Sequence, residues 1–167
     1  MVDKLEKIFV ICMVGMPCSG KSTWIQDNKP RIASQYNTNV IVISRDTIRE
    51  TFFGKDYKQN KEDEKAVTIR YWKELSHAIM LDNAVIILDN CHTKSSYIDE
   101  YIKLFQPLIN SGKLEFFIKI LKVPYLQALM RNYKRRVATG KWIPQDVLKS
   151  FHEAFLRLDT SNYREFV

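Results

Sequence analysis

The chain has 167 residues, 46% hydrophobic and 27% charged, and its 26 Lys and Arg against 19 Asp and Glu give a formal net charge of +7. That length suits one domain, here residues 1–167, that buries its core without disulfide or metal staples. No stretch reaches the roughly 18 apolar residues of a membrane span, and residues 1–7 mix charges, so no membrane contact and a cytoplasmic location are expected. The three cysteines, Cys12, Cys18 and Cys91, are odd in number and form no C-x-x-C pair, which points to neither a zinc site nor a disulfide framework. The basic balance suits a polyanionic partner, as it would a simply solvated surface.

In chain order, the first element is the apolar run Ile8-Phe9-Val10-Ile11-Cys12-Met13-Val14, a strand. Gly15-Met16-Pro17-Cys18-Ser19-Gly20-Lys21-Ser22-Thr23 follows directly, a complete G-x-x-x-x-G-K-S phosphate-binding loop that opens a helix. Its successive backbone N–H groups cradle phosphate oxygens, the helix start presents its positive end, Lys21 reaches the β/γ-phosphates and Ser22 can ligand Mg²⁺. The second apolar run, 40–43, ends in Ser44-Arg45-Asp46-Thr47-Ile48-Arg49. There Asp46 fits either a helix N-cap or the group that orients or deprotonates an acceptor hydroxyl. Arg49, one turn on, fits an ion pair with Asp46 or a phosphate of the acceptor.

A helix is expected over 61–82, with Ala66, Ile69, Trp72, Leu75 and Ile79 on its inner face. The third strand, 84–88, ends in Asp89-Asn90, the shape of a Walker-B strand whose carboxylate reaches Mg²⁺ or its waters, orders the acceptor, or caps the next element. His92 has no companion at metal-ligand spacing, and His77 and His152 read as ordinary helix residues. An amphipathic helix over 94–110 stops at Ser111-Gly112, and a fourth strand spans 115–123. Pro124 and Pro144 then open helices near 124–138 and 144–157, joined by a connection at 138–143 that is expected to be mobile. Arg131, Lys134, Arg135, Arg136 and Lys141 form the densest basic cluster, the build of a lid that closes over ATP or of a solvated helix face. Strands alternating with helices predict an α/β fold with a parallel sheet, whose ligands lie beyond the strand ends.

These residues together resemble the kinase domain of phage-type 5′-polynucleotide kinases, which phosphorylate 5′-hydroxyl ends of RNA and DNA. The resemblance rests on Gly20-Lys21-Ser22-Thr23-Trp24, Arg45-Asp46-x-x-Arg49, the strand ending at Asp89, Val123-Pro124 with Arg131-Asn132-x-Lys134-Arg135, and Ile143-Pro144-x-Asp146-Val147-Leu148. It covers roughly residues 8–155 and implies a P-loop NTPase fold of adenylate-kinase-like type, a three-layer sandwich of about four parallel strands with a helical lid. It further implies that Gly15, Cys18, Ser19, Gly20, Lys21, Ser22, Thr23, Arg131 and Arg135 bind ATP and that Ser22 serves Mg²⁺. Asp46 would be the general base, with Arg49, Asp89 and Asn90 on the acceptor and Arg135 as the lid arginine on the ATP phosphates. Family members commonly carry Gly at the place of Cys18 and Thr at that of Asn90. The D-x-D-x-T motif of an appended phosphatase domain does not occur, so no 3′-phosphatase activity is expected, and the tail 158–167 is expected to be irregular.

The implied activity is end-healing in RNA or DNA repair. The competing readings are a P-loop kinase of a small molecule (nucleoside, sugar or antibiotic) and a non-enzymatic ATP-binding nucleic-acid module. Phe52, Phe53, Tyr57 and Trp142 are candidates to stack on terminal bases or to serve as core.

Overall fold

The structure, a computed structural model, describes residues 6–167. Strands β1 (Ile8–Val14), β2 (Val40–Ile43), β3 (Ala84–Leu88) and β4 (Leu114–Ile120) form one parallel sheet in the order β2-β3-β1-β4. Among the described residues six helices accompany them: α1 (Lys21–Tyr36), α2 (Arg45–Phe53), α3 (Lys61–Ala78), α4 (Ser95–Asn110), α5 (Tyr125–Thr139) and α6 (Gln145–Leu156). The pairing of Ile8 with Ala84 and with Leu114 places the P-loop strand between β3 and β4, so the loop leaves the middle of the sheet.

Both faces of the sheet are covered, which is why its strands read as continuous apolar runs. Val10, Cys12 and Val14 pack with Tyr71 and Leu75 of α3 and with Ile98 and Phe105 of α4. Ile11 and Met13 face the other way, onto Ile25 and Ile32 of α1. The expected three-layer α/β sandwich with four parallel strands is therefore what the chain forms.

Several element details differ from expectation. β4 ends at Ile120, not 123; Leu121 donates one more backbone bond, to the Val14 carbonyl at 2.8 Å, before Pro124 turns the chain into α5. The buried face of α3 is Val67, Tyr71, Leu75 and Ala78, whereas Ile69 is largely exposed. A tyrosine replaces the predicted isoleucine in the core because its hydroxyl finds a partner there: Tyr71 and Tyr101 share a 2.6 Å hydrogen bond. His92 extends this chain, with Nδ1 2.7 Å from the Met13 carbonyl and Nε2 3.3 Å from the Tyr101 hydroxyl. A carbonyl only accepts, so the proton sits on Nδ1. Burial lowers the His92 pKa to about 4, and the ring is a neutral core strut.

The tail is not wholly irregular either. Ile118 donates to the Arg164 carbonyl at 2.9 Å and accepts from the Phe166 N–H at 2.8 Å, a parallel bridge on the free edge of β4. It carries Phe166 into the core beside Trp24, Tyr36 and Phe117.

Candidate active site

The P-loop wraps from β1 into α1, and its glycines answer to local crowding and backbone sign. A Cβ on Gly15 would lie 2.7 Å from Ser19 Oγ and 2.8 Å from the Leu121 carbonyl, while Gly20 has φ +95°. Gly20 precedes α1 without a side-chain cap, so the first-turn N–H groups remain for an anion. Ser19 Oγ is buried with no protein partner, another polar atom of the cradle left for phosphate. Lys21 is buried, and its ammonium donates to the carbonyls of Gly15 (3.1 Å) and Met16 (2.8 Å), which holds it across the loop.

Cys18 adopts φ +62°, the left-handed region where a Cβ crowds its own carbonyl. Cys18→Gly is therefore expected to raise stability by about 1 kcal/mol. Urea unfolding midpoints of the two proteins check this, and an unchanged or lower midpoint would show that the thiol's packing against Met16 and Leu148 outweighs the backbone relief.

Ser22 Oγ donates to Asp89 Oδ2 at 3.2 Å. This brings the P-loop hydroxyl and the end of β3 together across 67 residues of chain. Burial raises the Asp89 carboxyl pKa, and Lys21 and the Ser22 hydroxyl oppose that rise. An all-oxygen pair of a hydroxyl and a carboxylate suits Mg²⁺, which takes few protein ligands and leaves its other positions to water and nucleotide phosphates. Among the described residues no cluster of three His, Cys, Asp or Glu forms a metal cage of its own.

At the end of β2 it is Ser44, not Asp46, that caps α2, accepting from the Thr47 N–H at 3.4 Å. Asp46 is thus free of the capping duty. Its side chain is 83% exposed and accepts from Arg49 Nη1 at 2.6 Å. The rest of the Arg49 fork is occupied by a residue that the sequence did not reveal. Glu64, in the first turn of α3, takes Nε at 2.8 Å and Nη2 at 2.9 Å. The Arg49 hydrogen bonds hold the Glu64 carboxyl below the ordinary carboxylate range, and Tyr57 adds a 3.4 Å bond.

Asn90 bridges the ends of two strands. Its Oδ1 accepts from the Arg45 N–H at 3.1 Å, while Nδ2 is buried without a protein partner. Arg45 lies 4.7 Å over the Tyr71 ring and donates to Thr68 Oγ1 at 2.8 Å, so it locks α2 onto α3. Phe53 and Tyr57 stack on each other at 4.6 Å with Phe52 edge-on, and both phenylalanines stay exposed beside this group.

α5 and α6 pack through their own small core of Met16, Val123, Ala128 and Leu148, which ties the lid to the P-loop. Arg131 Nη1 donates to the Cys18 carbonyl at 3.1 Å and approaches Gly20, so this arginine of α5 rests on the loop. Arg135 is exposed, and among the described residues its guanidinium makes no hydrogen bond or ion pair; its charge helps to lower the Glu50 carboxyl pKa, after the Lys141 hydrogen bond and charge. The 138–143 connection is held at Lys141 and Ile143. Asn132 donates to the Ile143 carbonyl at 2.7 Å and accepts its N–H at 3.0 Å, and Lys141 pairs with Glu50 of α2. Trp142 carries the Arg136 guanidinium 4.5 Å above its ring.

Residues 10–158 match the AAA domain family. The chain belongs to it. Among solved structures, this AAA domain resembles a chain of the Pnkp1/Rnl/Hen1 RNA repair complex, with 23% identity over 90% of this chain and 44% of that one, at a TM-score of 0.67. A second Pnkp1/Rnl/Hen1 complex matches at 16% identity over 96% and 44%, with a TM-score of 0.56. Kti12 of Chaetomium thermophilum, solved with ADP-AlF3, matches at 18% identity over 93% of this chain and 80% of its own, at 0.61. At such identities the likeness is one of fold. The AAA domain spans less than half the length of the two RNA repair chains that it resembles. Among its described residues no helix is long and apolar enough to cross a membrane.

Proposed function

We propose that this AAA domain is an ATP-dependent polynucleotide 5′-hydroxyl kinase, which moves the γ-phosphate of ATP to the 5′-hydroxyl end of an RNA or DNA strand, an end-healing step of nucleic-acid repair. The observation that carries this reading is the Asp46–Arg49 pair beyond the end of β2: an exposed carboxylate for a hydroxyl, held by a guanidinium suited to an acceptor phosphate. The fold likeness to a chain of an RNA repair complex supports it, as does the net charge of +7.

In this mechanism Gly15, Cys18, Ser19, Gly20 and Thr23 present the loop and helix N–H groups to the phosphates, and Lys21 turns its ammonium from the Gly15 and Met16 carbonyls to the β/γ-oxygens. Ser22, with the carboxylate of Asp89 in hydrogen-bond reach of it, would hold Mg²⁺, which when bound would neutralise charge on the phosphates. Asp46 orients the 5′-hydroxyl and takes its proton as the new O–P bond forms on the γ-phosphorus. The bond from that phosphorus to the bridging oxygen breaks, and its electron pair leaves with ADP. Arg49, Asp89 and Asn90 arrange the acceptor, the Asn90 Nδ2 having a hydrogen bond to give. Arg131 covers the loop and Arg135 reaches the phosphates when the lid closes.

Transfer of labelled γ-phosphate to a matched pair of oligonucleotides, one 5′-hydroxyl and one 5′-phosphorylated, tests the reading. Label on the hydroxyl strand alone is the expected result. ATP binding without label on either strand, together with phosphorylation of a nucleoside or sugar in a panel of small alcohols, would replace it with a small-molecule kinase. Salt-sensitive strand binding indifferent to the end group, without transfer, would leave only a nucleic-acid-binding module.

Glu64 adds a further expectation. Glu64→Gln removes one of two acceptor oxygens and turns an amide toward the Arg49 fork, so Arg49 should lose its fixed orientation. The KM for the oligonucleotide is expected to rise about tenfold, as the loss of one charge-assisted bond implies, with the KM for ATP unchanged. Equal rises in both constants would assign Glu64 to general stability.

A further inference from the structure

We infer that the outer face of the lid helix α5 is a docking seam for an acidic amphipathic helix of a partner protein. Four apolar side chains on this helix stand in solvent: Leu126 (71% exposed), Met130 (62%), Tyr133 (67%) and Val137 (72%). Their spacing of four, three and four residues is that of alternating d and a positions of a heptad. At about 100° per residue they fall within an arc of about 60°.

The other two directions of α5 are already engaged. Ala128 and Asn132 face the body of the protein, one in the lid core and one holding Ile143. Arg131 and Arg135 flank that face, about 60° round the helix, where Arg131 meets the P-loop. The stripe lies on the side away from both, so neither folding nor lid closure onto the loop uses it. Single exposed apolar residues need no explanation, but four in register over three turns do.

The width of the stripe selects the occupant's shape and its borders select the charge. A helix lying in a bilayer surface or on a core needs an apolar face of about 100° or more, whereas a strict a/d seam is the narrow contact made with one other helix. The bordering positions are Gln127 and Lys134 on one edge and Leu129 and Arg136 on the other, and residues 125–139 contain no Asp or Glu. A second copy docked on the same seam would set Lys134 and Arg136 against themselves, which disfavours self-pairing. A helix with Glu or Asp flanking its apolar stripe satisfies both borders. Such a partner would sit on the back of the helix that carries Arg131 and Arg135.

The test uses a synthetic three-heptad peptide with Leu at a and d and Glu at e and g, whose own charges prevent it from self-pairing. Fluorescence anisotropy is read with the wild-type chain and with the double variant Met130→Gln, Tyr133→Gln, whose exposed positions leave the fold intact by circular dichroism. Binding that weakens at least tenfold in the double variant, and that is absent for the same peptide with Lys at e and g, is the expected result. Absence of binding to wild type, or equal binding to the variant, would overturn the inference. So would a chain dimer in sedimentation that the variant disperses, or uptake by phosphatidylserine vesicles that depends on the same two residues.

Discussion

Asp46→Asn is expected to lower the rate of phosphate transfer to a 5′-hydroxyl oligonucleotide by about 10² to 10⁴-fold, the usual worth of a positioned general base, and to leave ATP affinity within a factor of about two. The separation follows from where the side chain stands. Asp46 neither caps α2 nor touches the P-loop; Ser44 does the capping, and Lys21, Ser22 and the loop N–H groups belong to other elements. The 2.6 Å contact with Arg49 is its one side-chain bond among the described residues, and the Glu64 fork keeps Arg49 in place when that contact is weakened. Asn keeps the size and an oxygen to accept from Arg49 but takes up no proton. Single-turnover transfer with labelled ATP and a parallel ATP titration give the two numbers. A rate within a few fold of wild type would remove Asp46 from the chemistry. A matching loss of ATP affinity would recast it as a structural residue.

The parts of this site that were legible in the sequence are those that a short stretch of chain encodes. The P-loop needs one strand, one glycine turn and one helix start, all within residues 8–25, and Asp89 ends an apolar run whose place beside β1 follows from parallel-sheet topology. Glu64 was not legible, because it meets Arg49 only when α2 and α3 pack, and an acidic residue in the first turn of a helix already has a sufficient local reason in the helix dipole. The outward position of Ile69 on α3 was not legible for a related reason: periodicity places Ile69 and Tyr71 about 160° apart without saying which is inward, and the hydroxyl of Tyr101 decides it. Between Arg131 and Arg135, one turn apart on α5, only the packing of Met16 and Ala128 sets which one rests on the loop.

The tail shows the same limit most sharply, and it can be measured. Phe166→Ala is expected to lower stability by about 3 kcal/mol, the low end for emptying a buried phenylalanine site, because the site is at the rim of the core. Phe166 is 4% exposed and meets Trp24 at 6.2 Å, Phe117 at 5.8 Å and Tyr36 at 6.5 Å, so it closes an aromatic group between α1 and β4 that also covers Ile11 and Met13 of the P-loop strand. Its backbone is bound on both sides, through the Ile118 carbonyl and Lys119 Nζ at 3.1 Å. Removal of Val167, which is 99% exposed, should cost nothing and serves as the control for loss of the terminal residue. Urea unfolding followed by tryptophan fluorescence is suited to the comparison, since Trp24 lies in the same cluster. A loss below about 1 kcal/mol would mean that α1 and β4 close over the gap and that the tail is an ornament of the sheet edge. The full loss would mean that the last turn of chain is part of what holds the P-loop strand and α1 at their spacing, and therefore part of what shapes the phosphate cradle between them.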